Sequence, residues 1–123
     1  MTNNNYKFNV PIDFGSTEIG SFYKAISVST PVLIDTINAT DFRSAEYILQ
    51  LSQGGNYSTT KTLLVWNLTD IAMNEYGNVS IGTDIDYTID GSYQFGNLEL
   101  TITCPTANVT PVTIKYSRAL FDS

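Results

Sequence analysis

From Ser27 onward the chain repeats one pattern, in which apolar and polar residues alternate until a turn residue intervenes. In "SAEYILQLS", residues 44–52, Ala45, Tyr47, Leu49 and Leu51 fall on one side, and Glu46, Ile48 and Gln50 on the other. A period of two is that of a β-strand, whose successive side chains point to opposite faces. "GGNYSTT" follows as a turn. "KTLLVWNLT" has a continuous apolar centre, which predicts a central strand covered on both faces. "IAMNEYGN" predicts a short strand closing at Gly77-Asn78. "TDIDYTIDG" alternates until Asp90-Gly91, with Ile85, Tyr87 and Ile89 inward and Asp84, Asp86, Thr88 and Asp90 toward water.

"NLELTITC" and "VTIKYSRAL" form the last two predicted strands, separated by "PTANVTP". "SVSTPVLIDTI" opens the series, and Pro31 marks a sheet edge or a strand start. Short strands at this spacing predict an all-β fold, an antiparallel β-sandwich or jelly roll of about 7–8 strands. Residues 27–123 are assigned to that domain.

Residues 1–26 differ. Asn3, Asn4, Asn5, Gly15 and Gly20 interrupt any period, yet Phe8, Ile12, Phe14, Ile19, Phe22 and Tyr23 are too apolar for a free tail. "STEIGSFYKA" suits a short helix with Ser16 as N-cap, weakened by Gly20. Two readings stay open for this extended N-terminal segment. It is a first strand and loop lying over the domain's own core, or an arm docking on a neighbouring subunit.

Composition narrows the function. The 123 residues suit one domain, and a chain of this size buries roughly two-thirds of its unfolded surface without staples. Charged residues make up 15%, so the surface is largely Asn, Ser, Thr and Gly. The net charge is −6, and the six basic residues scatter from Lys7 to Arg118. Phosphate binding needs clustered Lys and Arg, so no nucleic-acid partner is expected. Met1 precedes "TNNNYKFNV", which lacks a basic start and a long apolar run, so no signal peptide is expected and the chain is read as made in a cytoplasm. No stretch approaches the roughly 20 apolar residues of a membrane helix. The Asn-x-Ser/Thr sequons at Asn38, Asn56, Asn67, Asn78 and Asn108 are read as coincidence in an Asn/Thr-rich chain.

Candidate chemistry is sparse. The absence of His removes the commonest general base and transition-metal ligand. Cys104, the single cysteine, ends "LELTITC" on the side of Leu98, Leu100 and Ile102 and reads as a small core residue. Asp84, Asp86 and Asp90 faintly resemble a calcium loop, but the glycine and closing Glu of that template are missing. A glycosidase needs two carboxylates flanking a bond, and Glu46 with Glu75 is the pair considered. No phosphate loop, nucleophile elbow or Ser/His pair is present. No catalytic, cofactor-binding or metal residues are therefore assigned, no cofactor is expected, and the chain is read as not an enzyme. Trp66, Tyr47, Tyr76 and Tyr116 are either core aromatics or platforms for sugars and interfaces. Arg43 and Arg118 are expected to bridge to Glu46 or Glu75.

"FRSAEYILQLSQGGNY", "TLLVWN", "NEYGNVSIG", "GNLELTITCPT" and "VTIKYSRALF" together resemble a β-rich module of tailed-bacteriophage virion proteins, of the kind met in cyanophages and other marine phages. The resemblance covers about residues 36–121. "FRSAEY" and "NEYG" carry its specificity. Where that family often has His-Asp-Gly, this chain has Trp66-Asn67-Leu68. The resemblance implies a structural component of a virion that binds other virion subunits, either the major capsid protein or tail and neck proteins. A capsid decoration (cement) protein is the first expectation. A tail, neck or fibre-associated protein and a host-glycan-binding module are the alternatives. A homo-oligomer is expected, since such proteins usually occupy symmetry axes. The segment Phe42–Gly55 is expected to be scaffold, with Arg43 and Glu46 tied to Glu75 and Tyr76.

Overall fold

The computed structural model describes residues 12, 13, 15 and 17–122. Among them are nine β-strands and no helix: β1 Ile12–Asp13, β2 Thr17–Ile26, β3 Val32–Asn38, β4 Phe42–Gln53, β5 Asn56–Trp66, β6 Ile71–Ile81, β7 Thr88–Gln94, β8 Asn97–Thr103 and β9 Val112–Asp122. They form an antiparallel sandwich, as the alternation predicts. One sheet has the order β1-β2-β9-β4-β5-β6, and the other β3-β8-β7.

Local chemistry sets the hairpins. Gly54 and Gly55 have φ of 54° and 85°, and they join β4 to β5 with Gln53 opposite Asn56. Positive φ at both central residues gives the tight turn whose twist matches the flanking strands. The β7–β8 turn has the same form, with Phe95 and Gly96 at φ of 52° and 81°. "TDIDYTIDG" therefore does not end at Asp90-Gly91. The strand runs through Gly91 to Gln94, because the residues able to reverse the chain lie further on.

Three other expectations change. "TEIGSFYKA" is not helical: Thr17–Ile26 pairs with β9 along its whole length, and Ser16, the expected N-cap, lies outside the described residues. Ten backbone pairings with a strand of the domain's own sheet outweigh a weak local helix preference interrupted by Gly20. This part of the N-terminal segment is thus a strand of the sandwich, while residues 1–11 lie outside the described residues. Second, "IAMNEYGN" does not close at Gly77-Asn78. β6 continues to Ile81 through a bulge, where Thr59 faces Val79 but Lys61 faces Tyr76. Gly77, at φ 69°, supplies the left-handed residue that such a bulge uses. Third, "KTLLVWNLT" is not covered on both faces: Thr62, Leu64 and Trp66 are buried, whereas Leu63 and Val65 are exposed.

The core lies between the sheets. Ala45, Tyr47, Leu49 and Leu51 of β4 meet Leu98, Leu100 and Ile102 of β8 and Val112, Ile114 and Leu120 of β9, all buried. Cys104 and Trp66 belong to the same core, and the Trp66 indole N–H donates to the Ala39 carbonyl at 3.1 Å. A six-stranded sheet is wider than the three strands that cover it. β6 consequently has no buried residue along its length.

Candidate functional site

The inner side chains of β9 are Val112, Ile114, Tyr116, Arg118 and Leu120, so Arg118 points into the sandwich and is only 8% exposed. Its partner comes from the opposite sheet. Between Leu33 and Asp35 the β3–β8 register slips by one residue, placing Asp35 opposite Leu100 on the inner face. Without that bulge at Ile34, strict alternation would send Asp35 to water. Arg118 Nη1 donates to both Asp35 oxygens, at 2.5 and 2.7 Å, and Nη2 reaches Glu18 Oε1 at 3.3 Å. The Tyr47 hydroxyl donates to Asp35 Oδ2 at 2.6 Å, and Tyr116 donates to the Ile34 carbonyl at 2.6 Å. The guanidinium lies 4.7 Å from the centre of the Phe22 ring. Burial pushes the Tyr47 and Tyr116 hydroxyls well above the ordinary tyrosine value, and the adjacent Asp35 adds to both shifts. This network pins one sheet to the other.

A second polar cluster lies at the β6 margin. The Tyr87 hydroxyl donates to Glu75, and the Asn78 amide donates to Tyr87 Oη at 3.2 Å. Burial and the Glu75 hydrogen bond push the Tyr87 pKa up to about 12. The Ser80 hydroxyl donates to Asp84 at 3.1 Å, and the Thr83 amide donates to Asn56 at 2.9 Å. The cluster fastens the loop before β7 to the large sheet.

The sequence candidates separate in space. Arg118 pairs with Asp35 and Glu18 instead of Glu46 or Glu75. Arg43 occupies the irregularity between Phe42 and Ser44 and donates to the Trp66 carbonyl at 3.2 Å. Of the expected tie to the "EYG" segment, one contact forms: Tyr76 donates to Glu46 at 3.3 Å, while Glu75 engages Tyr87. Trp66 is 2% exposed and offers no sugar platform. Burial pushes the Cys104 thiol up to about 11, so it stays protonated and inert at neutral pH. Among the described residues no three His, Cys, Asp or Glu side chains gather closely enough to hold a metal ion.

The surface feature that sequence reasoning missed is the outer face of the large sheet. Register alignment lays its side chains out in rows across the strands. Phe121, Ser44, Val65 and Ala72 form one row, and Ala119, Glu46, Leu63 and Asn74 the next. Ile48 and Tyr76 flank Lys61 in the third, and Tyr57 meets Ile81 at the far end. Beside Leu63, Val65, Ala72 and Phe121 the face dips into a mostly apolar groove of about 370 Å³. Ten of the sixteen exposed large hydrophobics among the described residues lie on this face. The available signal was the run "LLVW". A strand apolar at every position has either two covered faces or one face awaiting a cover.

The fold defines an all-β, two-sheet sandwich whose larger sheet is open on one side. No family model matches the chain, and no curated protein does. Among solved structures it is similar to the tailspike protein of Acinetobacter baumannii phage AM24, with a TM-score of 0.55 and 7% identity. The match takes in 88% of this chain and 26% of the tailspike, so the chain spans about a quarter of that protein's length.

Proposed function

We propose that this chain is a structural module of a tailed-phage virion, tail-associated, working through protein–protein contact instead of chemistry. The observation carrying this reading is the backbone likeness to a part of a phage tailspike over 88% of the chain. The sequence resemblance to phage virion modules points the same way. At 7% identity no individual side chain transfers from the tailspike, so its own ligands and partners are not assigned here. The tail is preferred to capsid decoration because the similar structure is a tailspike, and because part of the segment read as a possible docking arm, residues 1–26, lies on its own domain. Thr17–Ile26 of that segment is bonded instead to β9 of its own sheet. The open outer face, apolar and poor in charge, is the surface such a module would place against a neighbour.

Mass spectrometry of gradient-purified parent particles, followed by immunogold labelling, tests the reading. The chain is expected in the particles with gold at the tail. Gold confined to the head would move it to capsid decoration. Absence of the chain from disrupted particles would overturn a virion role altogether.

A further inference from the structure

The outer face of the large sheet has a size, a charge and an edge that together specify what covers it. Five strands, β2, β9, β4, β5 and β6, present it through mutual register. At the usual strand spacing and rise it measures about 24 Å by 34 Å, on the order of 800 Å². That is about what each partner contributes to a standard stable protein–protein interface. Among the described residues, the acidic side chain on this face is Glu46, alongside Lys61 and Lys115. The outer face of the smaller sheet carries Asp90 and Glu99, so two copies of a chain of net charge −6 meeting there would meet like charge. On the large sheet the approach meets almost none, and a two-fold can set Glu46 of each copy against a lysine of the other. The edge argues in the same direction. The Gly77 bulge interrupts β6 midway, and bulged edges are poor templates for strand addition.

We infer that the outer face of the large sheet is a self-association surface, on which a second copy of this chain packs face to face. A single patch that meets itself is isologous, and it closes as a dimer instead of growing into a fibre. Leu63, Val65 and Phe121 stand toward one end of it around the apolar groove, where its large apolar side chains are closest together. The inference deepens the virion reading and rests on it only for where the pair sits in a particle.

Sedimentation equilibrium of the purified full chain up to about 100 μM tests it. The wild type is expected at twice the monomer mass. Leu63→Glu and Val65→Glu, both at exposed positions, are expected to weaken association at least about tenfold, because each buries an unpaired charge. Far-UV circular dichroism confirms that both variants remain folded. Phe95→Asn, at an exposed site off this face, is expected to leave the dimer intact. A wild type that stays monomeric throughout overturns the inference. So does a dimer that withstands both glutamates, or one that Phe95→Asn dissolves. These outcomes are read on isolated protein, and the virion reading fails only by absence from particles, so the two fail separately.

Discussion

Arg118 and Asp35 show how one residue's placement fixes what its chemistry can be. Both are nearly sealed from water, and each is the other's principal partner. Removing one member of a buried ion pair strands the other in a medium that solvates charge poorly. Arg118→Met is expected to cost about 3–5 kcal/mol, read as a lower urea midpoint. Asp35→Leu alone should be comparably harmful, and the double variant should lose much less than the sum of the two. Additive losses would show that the pair is not coupled. Phe95 makes the opposite case. It is 99% exposed at a φ of 52°, so it pays left-handed strain with no burial in return. Phe95→Asn is expected to stabilise the chain by about 1 kcal/mol, since Asn tolerates that region. A loss on thermal melting would contradict this account.

The same residues explain what the sequence did and did not disclose about the elements. Strands β4, β8 and β9 were legible because their alternation is unbroken: the inward sets predicted for Ala45–Leu51 and Leu98–Cys104 are the buried ones. Arg118 was legible in principle, lying in phase with Val112, Ile114, Tyr116 and Leu120. Its partner was not, because the bulge at Ile34 shifts the phase of β3 by one residue, and "VLIDTI" carries no glycine to announce it. β2 was illegible for another reason. Its inner positions include Gly20 and Lys24, opposite Arg118 and Ile114, so the strand owes its place to hydrogen bonding with β9 more than to its own pattern. At β6 the bulge was misread as a terminus, because glycine marks both. The open face was half visible, in the doubled apolar run of β5, but whether that run was covered depended on the width of the opposing sheet. Gly77→Ala tests the bulge reading directly. No heavy atom lies within 4 Å of where the added Cβ would sit, so the penalty is backbone strain alone, about 1 kcal/mol. A change near zero would mean that the bulge does not require the left-handed residue.

At the scale of the whole molecule, the response to pH follows from which groups the fold shelters. Tyr87 is pushed from 10.0 to about 12, and Cys104 from 9.0 to about 11, chiefly by burial. Tyr47 and Tyr116 move further in the same direction. All four are held in their neutral, protonated forms by the fold. Each therefore binds its proton more tightly folded than unfolded, and stability falls wherever the unfolded chain releases a proton that the folded chain retains. That contribution is fully present below the unfolded values. It begins to fade near pH 9, where the Cys104 thiol of the unfolded chain ionises, and falls steeply above pH 10, where the three tyrosines join. The chain has no histidine to add a transition near neutrality. Urea midpoints measured from pH 7 upward should hold level to about pH 9 and then drop, with the apparent m-value unchanged. Tyr47→Phe removes the most strongly shifted of these groups, so its alkaline decline should be shallower than that of the wild type even though its midpoint at pH 7 is lower, because the hydrogen bond to Asp35 is gone. If the decline proves as steep in Tyr47→Phe as in the wild type, Tyr47 does not carry the alkaline transition, and Tyr116 beside it and the margin cluster around Tyr87 become the places to look.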